Sequence, residues 1–237
     1  MTADVGIVCF PGSNCEHDVA QALQGLGAST RFLWHGADQV GEIGAVVIPG
    51  GFAHGDYLRP GAIARFSPIM RAVANFAVDG GPVLGICNGF QVLTEAGLLP
   101  GALTRNIGLR FICQTVECTV ESVASVLTSA ATPGSVLRLP INHYEGNYTC
   151  DPATLAEIEA RGQIVLRYRE NPNGAMNAIA GVRNPTGNVV GLMPHPERAS
   201  DPLGVGTDGV VLLQSLLVAA LARRGVSRRP APGDAAS

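Results

Sequence analysis

The sequence predicts an open, mostly parallel α/β sheet with helices on both faces and an antiparallel extension. Short apolar, β-branched runs end at Gly/Pro turns and alternate with helix-length segments, the arrangement of βαβ units. Near Leu109 this alternation gives way to strand-like runs joined by turns. Hydrophobic residues make up 46% of the 237 residues and charged residues 15%, which suits a packed globule and neither a disordered nor a fibrous chain.

In chain order, Asp4–Phe10 is an apolar strand ending at Pro11-Gly12-Ser13-Asn14, followed by a helix from Glu16 to Leu26. Ser29–Trp34 and Ala45–Ile48 read as strands, the second stopped by Pro49-Gly50-Gly51. A helix is expected from Pro60 to Asp79, with Pro60 suited to its first turn. Val83–Ile86 is a further strand, leading into a helix over Asn88–Ala96. Leu109–Leu139 is the expected antiparallel excursion. A helix over Pro152–Ala160 follows, then strands at Ile164–Tyr168, Ala175–Val182 and Asn188–Met193. The last helix starts near Asp208, and 226–237 lacks apolar periodicity, so it is expected to be a disordered tail. Residues 1–225 form a single domain on this reading.

Several function classes are excluded. A formal net charge of −3 with no Lys/Arg cluster gives no electrostatic footprint for nucleic acid. MTADVGIVCF runs into a strand without the basic and apolar regions of a signal peptide. The apolar stretch Val210–Ala222 contains Gln214 and Ser215 and is shorter than the ~20 residues a membrane span needs. It reads as a buried helix, and the chain is expected to be cytoplasmic and off the membrane. Its six cysteines are expected to be reduced. Cys113 and Cys118 lie five apart on a strand, where they point to opposite faces and cannot easily share an ion. No metal site is expected.

The chemistry centres on PVLGICNGFQVL (82–93). An apolar strand feeding Gly85-Ile86-Cys87-Asn88-Gly89 and then a helix is the arrangement of a nucleophile elbow. A helix N-terminus favours the thiolate, and the N–H of Asn88 can point at a developing oxyanion. On the pattern alone, Cys87 is equally a packed core residue. Pro49-Gly50-Gly51-Phe52, at the carboxyl end of another strand, is placed to offer a second oxyanion donor, or is simply a tight turn. A base with an orienting carboxylate is offered by two H-x-E pairs, His143-Tyr144-Glu145 and His195-Pro196-Glu197. His195 is favoured because it follows the apolar run NVVGLM, with Pro196 expected to keep the chain extended. His143 sits in a loop-like stretch. His17, His35 and His54 are read as ordinary surface or loop residues.

Taken together, these residues resemble the class I glutamine amidotransferases, whose triad is an elbow cysteine with the histidine and glutamate of H-P-E. Within them they resemble the branch that supplies ammonia for amidation of formylglycinamide ribonucleotide in purine biosynthesis. The resemblance runs from Val5 to about Leu221. It rests on PGSNC (11–15), IPGGFAHGDYLRPGAIARF (48–66), PVLGICNGFQVL, GLLPGAL (97–103), HYEGNY (143–148) and GLMPHPERASD (191–201). It implies a flavodoxin-like sheet, Cys87 as nucleophile, His195 as general base and acid, and Glu197 as its orienting carboxylate. It further implies an oxyanion hole from the N–H groups of Gly51, Phe52 and Asn88, with Gln91 helping to hold the substrate glutamine.

Two positions depart from the branch. Tyr144 stands where glycine is more usual, which leaves the role of the His143–Glu145 loop open although its place near the substrate or partner surface stands. Pro60 replaces a small residue, which a helix start tolerates. PGSNC is read as a loop over a helix N-terminus with no assigned role. The chain has no P-loop pattern. The resemblance therefore implies no cofactor in this chain, with ATP and Mg used by a separate large synthetase subunit. A small third subunit and channelled ammonia complete the implied system. The rival readings are an amidotransferase subunit for another acceptor, a stand-alone cysteine hydrolase of similar fold, and a non-catalytic module that keeps the fold.

Overall fold

The computed structural model describes residues 2–227. Eleven strands and five α-helices are distributed among them. The strands are β1 (Asp4–Cys9), β2 (Ser29–Trp34), β3 (Ala45–Ile48), β4 (Val83–Ile86), β5 (Ala102–Thr104), β6 (Ile112–Val120), β7 (Val136–His143), β8 (Asn147–Thr149), β9 (Ile164–Tyr168), β10 (Ile179–Arg183) and β11 (Val189–Leu192). The helices are α1 (Glu16–Gly25), α2 (Pro68–Val78), α3 (Asn88–Glu95), α4 (Pro152–Ala160) and α5 (Val210–Ser227).

Nine strands make one sheet in the order β2-β1-β3-β4-β11-β10-β9-β6-β7, and β5 pairs with β8 in a separate antiparallel ribbon. The half from β2 to β11 is parallel, and every pairing from β11 to β7 is antiparallel. The two halves differ in burial for a physical reason. Strands β3, β4 and β11 are buried at every position, because crossover helices cover both faces of a parallel sheet. Strand β7 alternates exposed and buried, as expected of a sheet with one solvated face. Cys113 is exposed and Cys118 buried, so these thiols do face opposite ways on β6.

Most expected elements fall within a residue or two of their sequence positions, and α4 matches at both ends, with Asp151 capping the N–H groups of Ala153 and Thr154. Three differ. The expected helix from Pro60 does not form there: Pro60–Ile63 are turns, Ala64–Phe66 is a 3-10 turn, and α2 starts at Pro68. Gly61 has φ +79° and its backbone lies against α3, where a Cβ would be 2.8 Å from the Val92 nitrogen. Ser67 is extended because a residue preceding proline is disfavoured in the helical region, so Pro68, and not Pro60, occupies the first turn. The strand expected over Ala175–Val182 begins only at Ile179, since Asn177 and Ala178 take positive φ values and close a 3-10 turn. Helix α5 runs through Ser227, two residues into the expected tail, and the rest of that tail lies outside the described residues. As expected, α5 is a packed helix: Leu212, Leu213, Leu216, Leu217 and Ala220 are buried.

The adjacent strands β3, β4 and β11 end side by side, with Ile48 level with Gly85 and Leu192 level with Ile86. Carboxyl ends of parallel strands are where open α/β sheets bind ligands. The turns leaving these three strands carry Gly50-Gly51, Cys87 and His195.

Candidate active site

Cys87 has φ +50° and ψ −104°, a conformation non-glycine residues rarely adopt and which costs about 1–3 kcal/mol. The surroundings impose it. The Cys87 N–H donates to Leu192 O at 2.8 Å, extending the β4–β11 ladder past the strand end, while Cys87 O accepts from the N–H groups of Phe90 and Gln91. Chain reversal over so few atoms brings α3 onto β3, and Gly89 is the point of contact. A Cβ there would lie 1.9 Å from Ile48 O. The side chain stands at the wall of a cavity of about 330 Å³, with Sγ 3.7 Å from Asn142 O. The sharp turn read from the sequence is therefore present, and its cysteine is reachable.

His195 lines the same cavity from the turn after β11, and Glu197 lies beside its ring. His195 Nδ1 lies 2.6 Å from Glu197 Oε1, and both side chains are buried. Opposite a carboxylate, Nδ1 is the donor, which leaves Nε2 as the nitrogen that can take up and give back a proton. Nε2 is buried without a hydrogen-bond partner, and so is Glu197 Oε2. Burial alone would push the imidazolium down, but the charges of Glu197 and Cys87, with Cys15 beside them, hold it well above the ordinary histidine range. The local backbone differs from the extended path expected at Pro196. Pro196 opens a 3-10 turn over Pro196–Ala199, and His195 stands immediately before it. This suits proline, whose fixed φ and missing N–H cost nothing at the first position of a helical turn.

The other H-x-E pair lines the same cavity with different partners. His143 closes strand β7 instead of lying in a loop. Its Nδ1–H donates to Asn106 Oδ1 at 3.1 Å, and the N–H of Gly146 shares that acceptor. Glu145 turns away to Arg105, 3.6 Å from its Nε. Burial, aided by the nearby charge of His195, pushes His143 down to about 4. Tyr144 also lines the cavity, so this loop does sit beside the site.

One of the three expected oxyanion donors is committed elsewhere. The Phe52 N–H donates to Gly12 O at 2.9 Å, because the PGSNC loop is bridged to the glycine turn at Ser13 and Gly51. Gly51 and Asn88 remain. Asn88 opens α3, where first-turn N–H groups have no intrahelical acceptor. Gln91 lines the cavity, accepting from Asn88 Nδ2 at 2.8 Å and donating to Glu145 O at 2.5 Å.

Several site residues were not singled out by sequence. Asp56 lines the cavity two residues after His54, at H-x-D spacing. It accepts from Asn88 Nδ2 at 3.1 Å; burial is the main cause that raises it to about 6, the Asn88 hydrogen bond opposes, and Glu145 adds to the rise. The Asn88 side chain ties α3 to the glycine turn by accepting from Ala53 N at 2.9 Å. Cys15, from the PGSNC loop, and Arg198 also line the cavity, with Arg198 Nη2 donating to Cys15 Sγ at 3.3 Å. One donor atom from each of Cys15, His195 and Glu197 lies within 4.8 Å of the others.

A thiol on a strained elbow beside a histidine–carboxylate pair is equipped for acyl transfer from a carboxamide or ester. Comparison with known proteins narrows this. Residues 2–205 match the family described as the CobB/CobQ-like glutamine amidotransferase domain. The phosphoribosylformylglycinamidine synthase subunit PurQ of Trichormus variabilis is 58% identical over 214 residues, 90% of this chain and 96% of that one. The subunit of the same name from Rubrobacter xylanophilus is 56% identical over 216 residues, covering 91% and 98%. Among solved structures, a chain of PurLQS from Thermotoga maritima superposes with a TM-score of 0.85 at 41% identity, covering 92% of this chain and 99% of that one. A glutamine amidotransferase from the same organism has a TM-score of 0.59 at 19% identity, covering 95% and 99%, and shares the fold.

Proposed function

The chain belongs to the CobB/CobQ-like glutamine amidotransferase family, as a glutaminase subunit of phosphoribosylformylglycinamidine synthase in purine biosynthesis, and from that premise we propose that Cys87, His195 and Glu197 carry its glutamine hydrolysis. The Cys87 sulfur attacks the side-chain carbonyl carbon of glutamine. The N–H groups of Asn88 and Gly51 receive the oxyanion, and Gln91 helps to hold the substrate. His195 Nε2 takes the thiol proton and delivers it to the departing nitrogen, which leaves as ammonia as the C–N bond breaks, while the sulfur stays bonded to the glutamyl carbonyl carbon as a thioester. Water, deprotonated by the same nitrogen, then attacks the thioester and releases glutamate. Glu197 keeps Nδ1–H oriented and stabilises the imidazolium.

The observation that carries this reading is the 2.6 Å Glu197–His195 contact with Nε2 left unpartnered at the cavity that holds Cys87. His143 is a poor alternative, since a base lowered to about 4 has little drive to take a proton near neutrality.

The chain acts within the synthase complex. In our reading the ammonia passes to a large synthetase subunit that uses ATP and Mg to convert formylglycinamide ribonucleotide to formylglycinamidine ribonucleotide. A small third subunit completes the assembly, and this chain needs no cofactor of its own. The PurLQS name of the solved relative supports a multi-subunit setting. Among the described residues no helix is long and apolar enough to cross a membrane, which accords with work in the cytoplasm.

The test is the assembled synthase carrying Cys87→Ala. Glutamine-dependent synthesis should vanish and ammonium-dependent synthesis should persist. Full glutamine-dependent activity in that variant would sink the assignment. A wild-type glutaminase rate indifferent to the synthetase partner would favour a stand-alone hydrolase.

A further inference from the structure

The hydrolysis above accounts for the amide end of glutamine and leaves its α-ammonium and α-carboxylate without partners. The α-nitrogen is four bonds from the carbonyl carbon that Cys87 attacks, about 5 Å when the chain is extended. Two carboxylates, Asp56 and Glu145, line the cavity with Cys87. Side-chain amides fix where they stand. Asp56 Oδ1 accepts from Asn88 Nδ2 at 3.1 Å, and Asn88 is the residue after Cys87. The same Nδ2 donates to Gln91 Oε1 at 2.8 Å, and Gln91 Nε2 donates to the backbone oxygen of Glu145 at 2.5 Å. Asp56 and Glu145 thus stand at the two ends of one amide chain anchored next to the nucleophile. Neither is neutralised in place. Asp56 accepts from a neutral amide, and among the described residues Glu145 makes one long ion pair, 3.6 Å to Nε of the exposed Arg105. Burial is the main cause that raises Asp56 to about 6, the Asn88 hydrogen bond opposes it, and Glu145 adds to it, so the two carboxylates feel each other's charge. A cation between them relieves that repulsion, and the α-ammonium is the cation that glutamine brings.

We propose that Asp56 and Glu145 are specificity-determining residues that receive the α-ammonium of glutamine, and that Arg105 receives its α-carboxylate, so that the site selects a free α-amino acid over a plain carboxamide. The inference deepens the glutaminase reading above and rests on it. Of the arginines among the described residues, three line this cavity. Arg59 is committed to Glu95 at 2.6 and 2.7 Å, and Arg198 to Asp18 at 3.2 Å and to Cys15 Sγ. Arg105 has its 3.6 Å contact through Nε, so its Nη donors are free for a carboxylate. The two charged groups of an amino acid share one carbon, and a carboxylate and a guanidinium 3.6 Å apart match them as a pair. The ammonium donates to Glu145 and Asp56, and the guanidinium donates to the α-carboxylate. No covalent bond changes in this step.

The test sets L-glutamine against glutaramate, which lacks the α-ammonium, and 4-aminobutanamide, which lacks the α-carboxylate, with ammonia release by the assembled synthase as the readout. Wild type should prefer glutamine to glutaramate by at least about 10²-fold in kcat/KM. Asp56→Asn and Glu145→Gln should each reduce that preference about tenfold, by losing rate on glutamine while glutaramate is little changed. Arg105→Gln should leave that preference in place and instead reduce the preference over 4-aminobutanamide, by about threefold because the side chain is largely exposed. Calorimetry on the synthase carrying Cys87→Ala reads the same ratios as affinities, without turnover. Substitutions that lower glutamine and glutaramate alike, or a wild type that takes both equally, overturn the inference and leave the nucleophile standing. If Cys87→Ala still hydrolyses glutamine, the catalytic reading fails, and the affinity ratios still decide which side chains hold the ammonium.

Discussion

His195–Glu197 and His143–Glu145 have the same H-x-E spacing and both imidazoles border one cavity, but only the first pair places its carboxylate on its own imidazole. The difference lies in the backbone around each pair. His195 stands before a proline-initiated 3-10 turn that folds Glu197 back beside the ring. His143 is the last residue of β7, and Glu145 leaves along a turn toward Arg105, so the imidazole falls to the amide of Asn106. Electrostatics then separate the two further: Glu197 and Cys87 hold His195 up against its burial, while burial holds His143 down at about 4. A two-residue spacing thus places a carboxylate near a histidine in sequence, and the turn geometry decides whether they meet.

Breaking the first pair should have the largest effect. His195→Ala should lower glutamine-dependent kcat/KM by about 10³-fold or more in the assembled synthase, with ammonium-dependent turnover retained. His143→Ala is the matched comparison: it should change KM or coupling to the partner by about tenfold at most, because the ring makes a positioning contact with Asn106 and is a weak base. Steady-state kinetics with glutamine and with ammonium read both, and a larger loss at His143 would mean that the wrong pair carries the chemistry. Glu197→Gln should fall between them, costing about 10²-fold in kcat with little change in KM. The amide cannot stabilise the imidazolium as a carboxylate does, so the acidic limb of the pH–rate profile should move to lower pH. An unmoved limb would show that Glu197 acts through packing alone.

The parallel half of the sheet was legible in sequence because its strands are short, wholly apolar and stopped by Gly or Pro, as at Ala45–Ile48 before Pro49-Gly50-Gly51. The candidates Cys87 and His195 were legible for the same reason, each standing just past such a strand end, and Glu197 through its two-residue spacing from His195. What stayed hidden depends on contacts between distant loops. The commitment of the Phe52 N–H to Gly12, and the arrival of Cys15 and Arg198 at His195 from opposite ends of the chain, come from the bridge between PGSNC and the glycine turn and from packing across 183 positions. The Pro60 helix was misplaced because apolar spacing does not register the left-handed Gly61 or the extended Ser67.

Asp56 offers a third histidine–carboxylate spacing and the smallest effect. His54, Gly55 and Asp56 all have positive φ, and this left-handed path carries the carboxylate to Asn88 while His54 Nε2 lies 3.3 Å from Ser67 Oγ. Burial, with Glu145 adding to it against the Asn88 hydrogen bond, raises Asp56 from 3.8 to about 6 in the folded chain. Between those values the folded state binds a proton that the unfolded state has released, so this group's contribution to stability falls as pH rises from about 4 to 6, and the penalty persists above 6. Asp56→Asn keeps an oxygen for Asn88 Nδ2 and removes the titration. Allowing for solvent screening of a half-buried carboxylate, it should stabilise the chain by about 1 kcal/mol at pH 7, or roughly 2–4 °C in Tm, and by almost nothing near pH 4. Thermal melts across that range decide the matter. A gain that is the same at every pH would locate the effect in backbone strain and not in charge, and would place this third pair outside the electrostatic contrast between the other two.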